Sequence, residues 1–194
     1  MKETYMKEAL KEAKKAYLKE EVPVGAVIVK NGKIIAKAYN QKEGKQDTTH
    51  HAEILAIQKA SKKLKTWRLS DCEMYVTLEP CSMCAGALIQ ARLKKVYIGT
   101  MDYKTGACGS VLNLLKDYPC NHQVEIETGI MKEECEAILQ DFFKMLRKKK
   151  KERKDRTSMN IRSDIEVVIT KLSRKQFAKF WHVGSNPTHS AKQN

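Results

Sequence analysis

Two short clusters hold the residues best suited to chemistry. His51 and Glu53 flank Ala52, and Cys81 and Cys84 flank Ser82-Met83 just after Pro80. One imidazole and two thiolates fill three positions around a tetrahedral zinc and leave the fourth for water, as a catalytic site requires and a structural one does not. Glu53 stands two residues past the histidine, where a carboxylate can carry protons to and from that water. A structural zinc would want a fourth histidine or cysteine at motif spacing, and neither cluster has one nearby. A zinc-containing RNA-binding protein with Glu53 incidental is the non-catalytic alternative. His50 abuts His51, but neighbouring helical residues point in different directions, so only one of them can face a metal. His51 has the required offset to Glu53, and His50 is expected at the entrance.

Both clusters fall where the sequence starts a helix. Met6, Ala9, Leu10, Ala13, Ala16 and Tyr17 recur at helical spacing over residues 2–19, and Val22-Pro23-Val24 breaks the pattern. Residues 24–29 and 33–39 read as strands joined by Asn31-Gly32, a dipeptide that accepts positive φ at both positions and so favours a tight hairpin. Residues 40–50 are polar loop, and a helix follows over 51–64. Strands are expected at 74–78, 96–99 and 124–127, with helices at 81–93, 111–115 and 132–146. Cys81 and Cys84, three apart, then share a helix face, and the positive helix start favours their thiolates. An initial hairpin followed by alternating strands and helices predicts a layered α/β domain with a mixed sheet. Cys72, Cys108, Cys120 and Cys135 show no spacing that suggests a second metal and are expected as ordinary thiols. His122 is expected to cap or pack, and Phe142-Phe143 is open between core and substrate platform.

With 42% hydrophobic and 31% charged residues, the chain reads as a soluble globular protein. No apolar run reaches the roughly 20 residues that cross a bilayer, and the start of the chain lacks a signal-like apolar stretch. The expectation is a cytoplasmic protein with no membrane partner. Of the net charge of +14, residues from Arg147 onward contribute +10, with 14 Lys+Arg against 4 Asp+Glu. Such an end favours polyanions, nucleic acid above all. The domain expectation is a zinc-dependent catalytic domain over 1–150 and a basic, disordered extension over 151–194. Residues 183–188 can be spelled GTG GGT TCG AAT CCC ACC, in which GTGGG pairs with CCCAC as in the T-arm of a transfer RNA gene. On that spelling the reading frame runs into a neighbouring gene, and residues after about Arg156 carry no selected function.

The His-x-Glu and Pro-Cys-x-x-Cys pair is the signature of zinc-dependent nucleobase deaminases. Over residues 1 to about 150 the chain resembles the bacterial tRNA-specific adenosine deaminases, within the cytidine and deoxycytidylate deaminase superfamily. The resemblance rests on Val22–Ala26, Asn40, His51–Ile54, Thr77–Ala87, Asp102–Ala107, Gly109-Ser110, Asn121-His122 and Asp141–Phe143. Thr48 and His50 depart from the proline and alanine common in that family. The resemblance implies a cytidine-deaminase-like three-layer α/β/α fold with a central mixed five-stranded sheet. It implies hydrolytic deamination of the wobble adenosine of a tRNA anticodon to inosine, with release of ammonia. It implies one Zn2+ per subunit on His51, Cys81 and Cys84, with Glu53 catalytic, in a homodimer. Val24, Asn40, Ala52, Leu78 and Glu79 would line the base pocket. Asp102, Lys104, Phe143 and Arg147 would hold the anticodon loop. The zinc motif alone fits a free-base or nucleotide deaminase acting on guanine or cytosine equally well.

Overall fold

The computed structural model describes residues 1–183, and their side chains through Lys171. In order the elements are α1 (Lys2–Leu18), β1 (Gly25–Lys30), β2 (Lys33–Tyr39), α2 (Lys42–Lys45), α3 (Ala52–Leu64) and β3 (Cys72–Leu78). There follow α4 (Ser82–Gln90), β4 (Lys95–Thr100), α5 (Leu114–Asp117), β5 (Glu125–Thr128) and α6 (Lys132–Val183). The five strands form one sheet in the order β2-β1-β3-β4-β5. β1 pairs antiparallel with β2 and β3, whereas β3–β4 and β4–β5 are parallel. At the hairpin, Asn31 and Gly32 take φ of 49° and 73°, the left-handed backbone the dipeptide predicts.

Successive strand residues face opposite layers, and both faces are buried. Ala26, Ile28, Met74, Val76, Val96 and Ile98 pack with Leu55, Ala56 and Ala60 of α3 and Ala85, Leu88 and Ile89 of α4. Val27, Val29, Tyr75 and Tyr97 point the other way, onto Met6 and Ala9 of α1 and Cys135 of α6. The architecture is therefore three-layer α/β/α around a mixed five-stranded sheet, as the resemblance implied. Gly25 lets α1 approach this closely: a Cβ there would run into the backbone of Ala9 and Ala13.

Two features depart from the sequence reading. The polar stretch 40–50 contains a one-turn helix, α2, held from outside by the buried Glu21 carboxylate. That group accepts from the N–H of Glu43 (3.1 Å) and of Gly44 (2.6 Å). The capping residue lies more than twenty positions upstream, beyond any local pattern. Second, α6 runs on past 150, where a disordered extension was expected, and every residue from Arg147 to Lys171 is exposed. Its stretch from Lys132 to Val183 holds no glycine or proline and many lysines, arginines and glutamates, all good helix formers. Met1–Lys144 forms one compact unit, and the rest of the helix belongs to a second. Of residues 183–188, whose spelling suggests read-through, all but Val183 lie outside the described residues. Among those described, no helix is long and apolar enough to cross a membrane.

Candidate metal and active site

His51 and Cys81 occupy equivalent places, each the residue immediately before a helix, α3 and α4 respectively. Both have extended backbone, and neither side chain caps its own helix, so both are free to turn toward each other. The two helix starts follow β2 and β3, which flank β1 in the sheet, and β3 delivers its last residue, Leu78, directly into Glu79-Pro80-Cys81. His51 Nδ1 lies 3.7 Å from Cys81 Sγ and 3.6 Å from Cys84 Sγ. The three ligand atoms all fall within 4.8 Å of one another. Zinc bonds of about 2.0 Å to nitrogen and 2.3 Å to sulfur place tetrahedral ligand atoms about 3.6 Å apart, so the spacing suits that ion. No other such group occurs among the described residues.

The electrostatics point the same way. The Cys84 thiol and then His51 hydrogen-bond to Cys81 and hold its thiol well below the usual range. Cys84, wholly buried, is pushed up by the Cys81 thiolate and by burial, and the bond to Cys81 raises His51. The cluster thus already concentrates negative charge that a cation would share, and a cation would draw the second proton off. Glu53, 3% exposed in the first turn of α3, is raised chiefly by burial, and its Oε2 has no hydrogen-bond partner. A buried, unsatisfied carboxylate oxygen beside three metal donors is poorly explained as scaffold. It suits a group that exchanges protons with a bound molecule.

The residues expected to line a pocket lie at the ends of β1, β2 and β3 and the start of α3, and several of their polar groups bond within the fold. Val24 and Ala52 are buried, and Leu78 is partly so. Asn40 Oδ1 accepts from the Ala52 N–H at 2.9 Å, tying the end of β2 to the start of α3. That bond leaves both Nδ2 donors of Asn40 available to a ligand. The Glu79 N–H donates to the Thr100 carbonyl, and its carboxylate turns away into residues 102–110. His50 is turned aside as well, with Nδ1 2.9 Å from Asp47 Oδ2.

Asp102 and Lys104 share one exposed turn after β4. Asp102 Oδ1 accepts from Lys104 N at 2.9 Å, and Oδ2 from the Thr105 hydroxyl at 2.6 Å. The ambiguity at Phe142-Phe143 resolves by residue: Phe142 is buried edge-on against Tyr17, while Phe143 is 43% exposed. Arg147 is exposed in the second unit. Cys72, Cys108 and Cys135 are buried thiols and Cys120 is half-buried, all four free. His122 Nε2 sits 2.7 Å from the Leu93 carbonyl, a packing role. The functions that sequence reasoning missed belong to Glu21 and to the Glu79 carboxylate. Glu21, two residues before Pro23, and Glu79, just before Pro80, carry no local sign that their partners are distant backbone N–H groups.

The chain matches the MafB19-like deaminase family over residues 1–147. It is 54% identical over 149 residues to a tRNA-specific adenosine deaminase of Bacillus subtilis (strain 168), covering 77% of this chain and 92% of that one. A protein of the same name from Aquifex aeolicus (strain VF5) is 50% identical, with 75% and 96% covered. A chain solved in a study of A-to-I editing by tRNA:A34 deaminases at the wobble position superposes with TM-score 0.68 at 40% identity. That match covers 70% of this chain and 99% of the other.

Proposed function

The chain belongs to the family of the tRNA-specific adenosine deaminases, and from that premise we propose how its residues carry out the reaction. The activity is hydrolytic deamination of the wobble adenosine of a tRNA anticodon: adenosine and water give inosine and ammonia. We assign it to a domain spanning residues 1–150. His51, Cys81 and Cys84 would hold one zinc ion, which supplies the Lewis acidity that makes water nucleophilic near neutral pH.

Glu53 does the proton work. Its carboxylate takes one proton from the attacking water to the ring nitrogen beside the reacting carbon, then moves the remaining hydroxyl proton to the amino group, which leaves as ammonia while the carbonyl forms. Burial raises the proton affinity of Glu53, which suits a group that must both accept and return a proton. Val24, Ala52 and Leu78 give the adenine an apolar seat, and the Asn40 Nδ2 donors meet a ring or ribose acceptor. Glu79 adds a wall by its backbone. Outside the pocket, Lys104 and Arg147 meet phosphates, Asp102 faces ribose hydroxyls and Phe143 stacks on a flanking base. The working form is a cytoplasmic homodimer.

The observation that carries this reading is the unpartnered, buried Glu53 oxygen beside the three-donor cluster. The test is inosine formation in an anticodon stem-loop with adenosine at the wobble position, with and without a zinc chelator. Chelator-sensitive inosine formation with no turnover of free guanine or cytidine is expected. Turnover of a free base in place of the stem-loop would overturn the substrate assignment.

A further inference from the structure

We infer that Glu79 is a positioning residue, whose carboxylate clamps the 102–110 loop onto the zinc-ligand turn and thereby sets where that loop meets RNA. The group is 3% exposed, and its hydrogen bonds all come from backbone N–H groups. Oε2 accepts from Asp102 at 2.9 Å, while Oε1 accepts from Cys108 at 2.8 Å and from Ser110 at 3.1 Å. One buried charge therefore gathers both ends of the loop, and three charge-assisted bonds offset its desolvation.

The loop returns the contact on the other side. Ala107 N donates to the Pro80 carbonyl at 2.9 Å, and Gly106 bridges to Cys81 itself. Gly106 is required for this closeness: a Cβ there would collide with Glu79 Oε2 and Ser110 Oγ. From Asp102 the constraint passes outward, because the Asp102 carboxylate fixes the backbone N–H of Lys104 and the hydroxyl of Thr105. A continuous chain of contacts thus joins Glu79, beside a zinc ligand, to the exposed Lys104.

Glutamine separates the clamp from simple packing. In Glu79→Gln one oxygen can still accept from Cys108 and Ser110, but the amide nitrogen would confront the Asp102 N–H donor to donor. Only the arm leading to Lys104 fails. The inference rests on the reading that this loop contacts tRNA, so the experiment reads loop order and RNA use separately. In the full-length chain, Glu79→Gln should keep its zinc while the Asp102 amide exchanges hydrogen about tenfold faster or more, as the loss of one charge-assisted bond implies. KM for the anticodon stem-loop should rise about tenfold with kcat changed far less, and Lys104→Ala should then cost less KM than it does in the native chain. Gly106→Ala, which displaces the same carboxylate from the loop side, should reproduce both effects. Native protection of Asp102 in both variants would overturn the clamp, even if the native chain formed no inosine. An opened loop with unchanged KM, or a fall in kcat alone, would overturn its role in RNA placement.

Discussion

The metal cluster and the basic run from Arg147 to Arg156 are opposite constructions. His51, Cys81 and Cys84 come together only because a sheet and two helix starts position them, and Cys84 and Glu53 are buried. The basic run is contiguous in sequence, exposed throughout, and holds eight basic against two acidic residues. In the first region each group has a task no neighbour can take over. In the second, charges substitute for one another and salt screens them. Under the proposed function the cluster decides the reaction and the run strengthens the hold on RNA.

Removing one donor tests the first half of that contrast most severely. Cys84→Ala should bring bound zinc from one per chain to nearly none. Inosine formation should fall by more than about a thousandfold, and the melting temperature should drop with it, because metal binding and folding are coupled at such sites. Metal analysis and thermal melts check this. Full zinc content in Cys84→Ala would remove that cysteine from the ligand set.

Glu53→Gln should divide chemistry from architecture. The amide keeps the shape of the side chain but cannot accept the proton, so turnover should fall about 10²–10⁴-fold while zinc and fold persist. Single-turnover inosine formation, measured beside metal content, gives the answer. Activity near the native level would reduce Glu53 to a buried spectator.

Phe142 and Phe143 bring the same contrast down to adjacent residues. Phe142→Ala empties a buried site against Tyr17 and should cost about 3–5 kcal/mol of stability. Phe143→Ala should leave stability nearly unchanged and weaken the stem-loop by about 1–3 kcal/mol, the value of one stacked base. Denaturant midpoints and stem-loop binding distinguish them. The sequence could not, because both rings sit in one motif, and only the burial of α6 against α1 shows which one faces inward.

The same limit explains what else was legible. Residue types and spacing disclosed the three-donor cluster because coordination chemistry restricts metal donors to a few kinds. Asn31-Gly32 and the helical spacing of Met6, Ala9 and Ala13 disclosed local structure because the forces that set it are local. Glu21 and Glu79 act on backbone N–H groups more than twenty positions away, in α2 and in the 102–110 loop, so their tasks had no local signature. Asn40 stood out in the sequence as a polar residue in a family motif, but its bond to the Ala52 N–H, twelve positions on, did not.

The smallest expected effect belongs to the basic run, and it shows in salt dependence more than in activity. A chain ending after Arg156 keeps all eight basic residues of the run, and one ending after Phe143 loses them while retaining Phe142 in the core. If several of those side chains meet phosphates, each releases condensed counterions, and the logarithm of affinity falls with the logarithm of salt by somewhat under one per contact. The shorter chain should therefore bind the stem-loop more weakly at low salt and with a shallower slope. The two curves should converge as salt rises, because the screened contacts contribute least there. Zinc content and the Glu53-dependent step should not change between the two chains. Parallel curves of equal affinity would make the run a solvated helix face, and RNA recognition would then rest on the Glu79-held loop and Phe143.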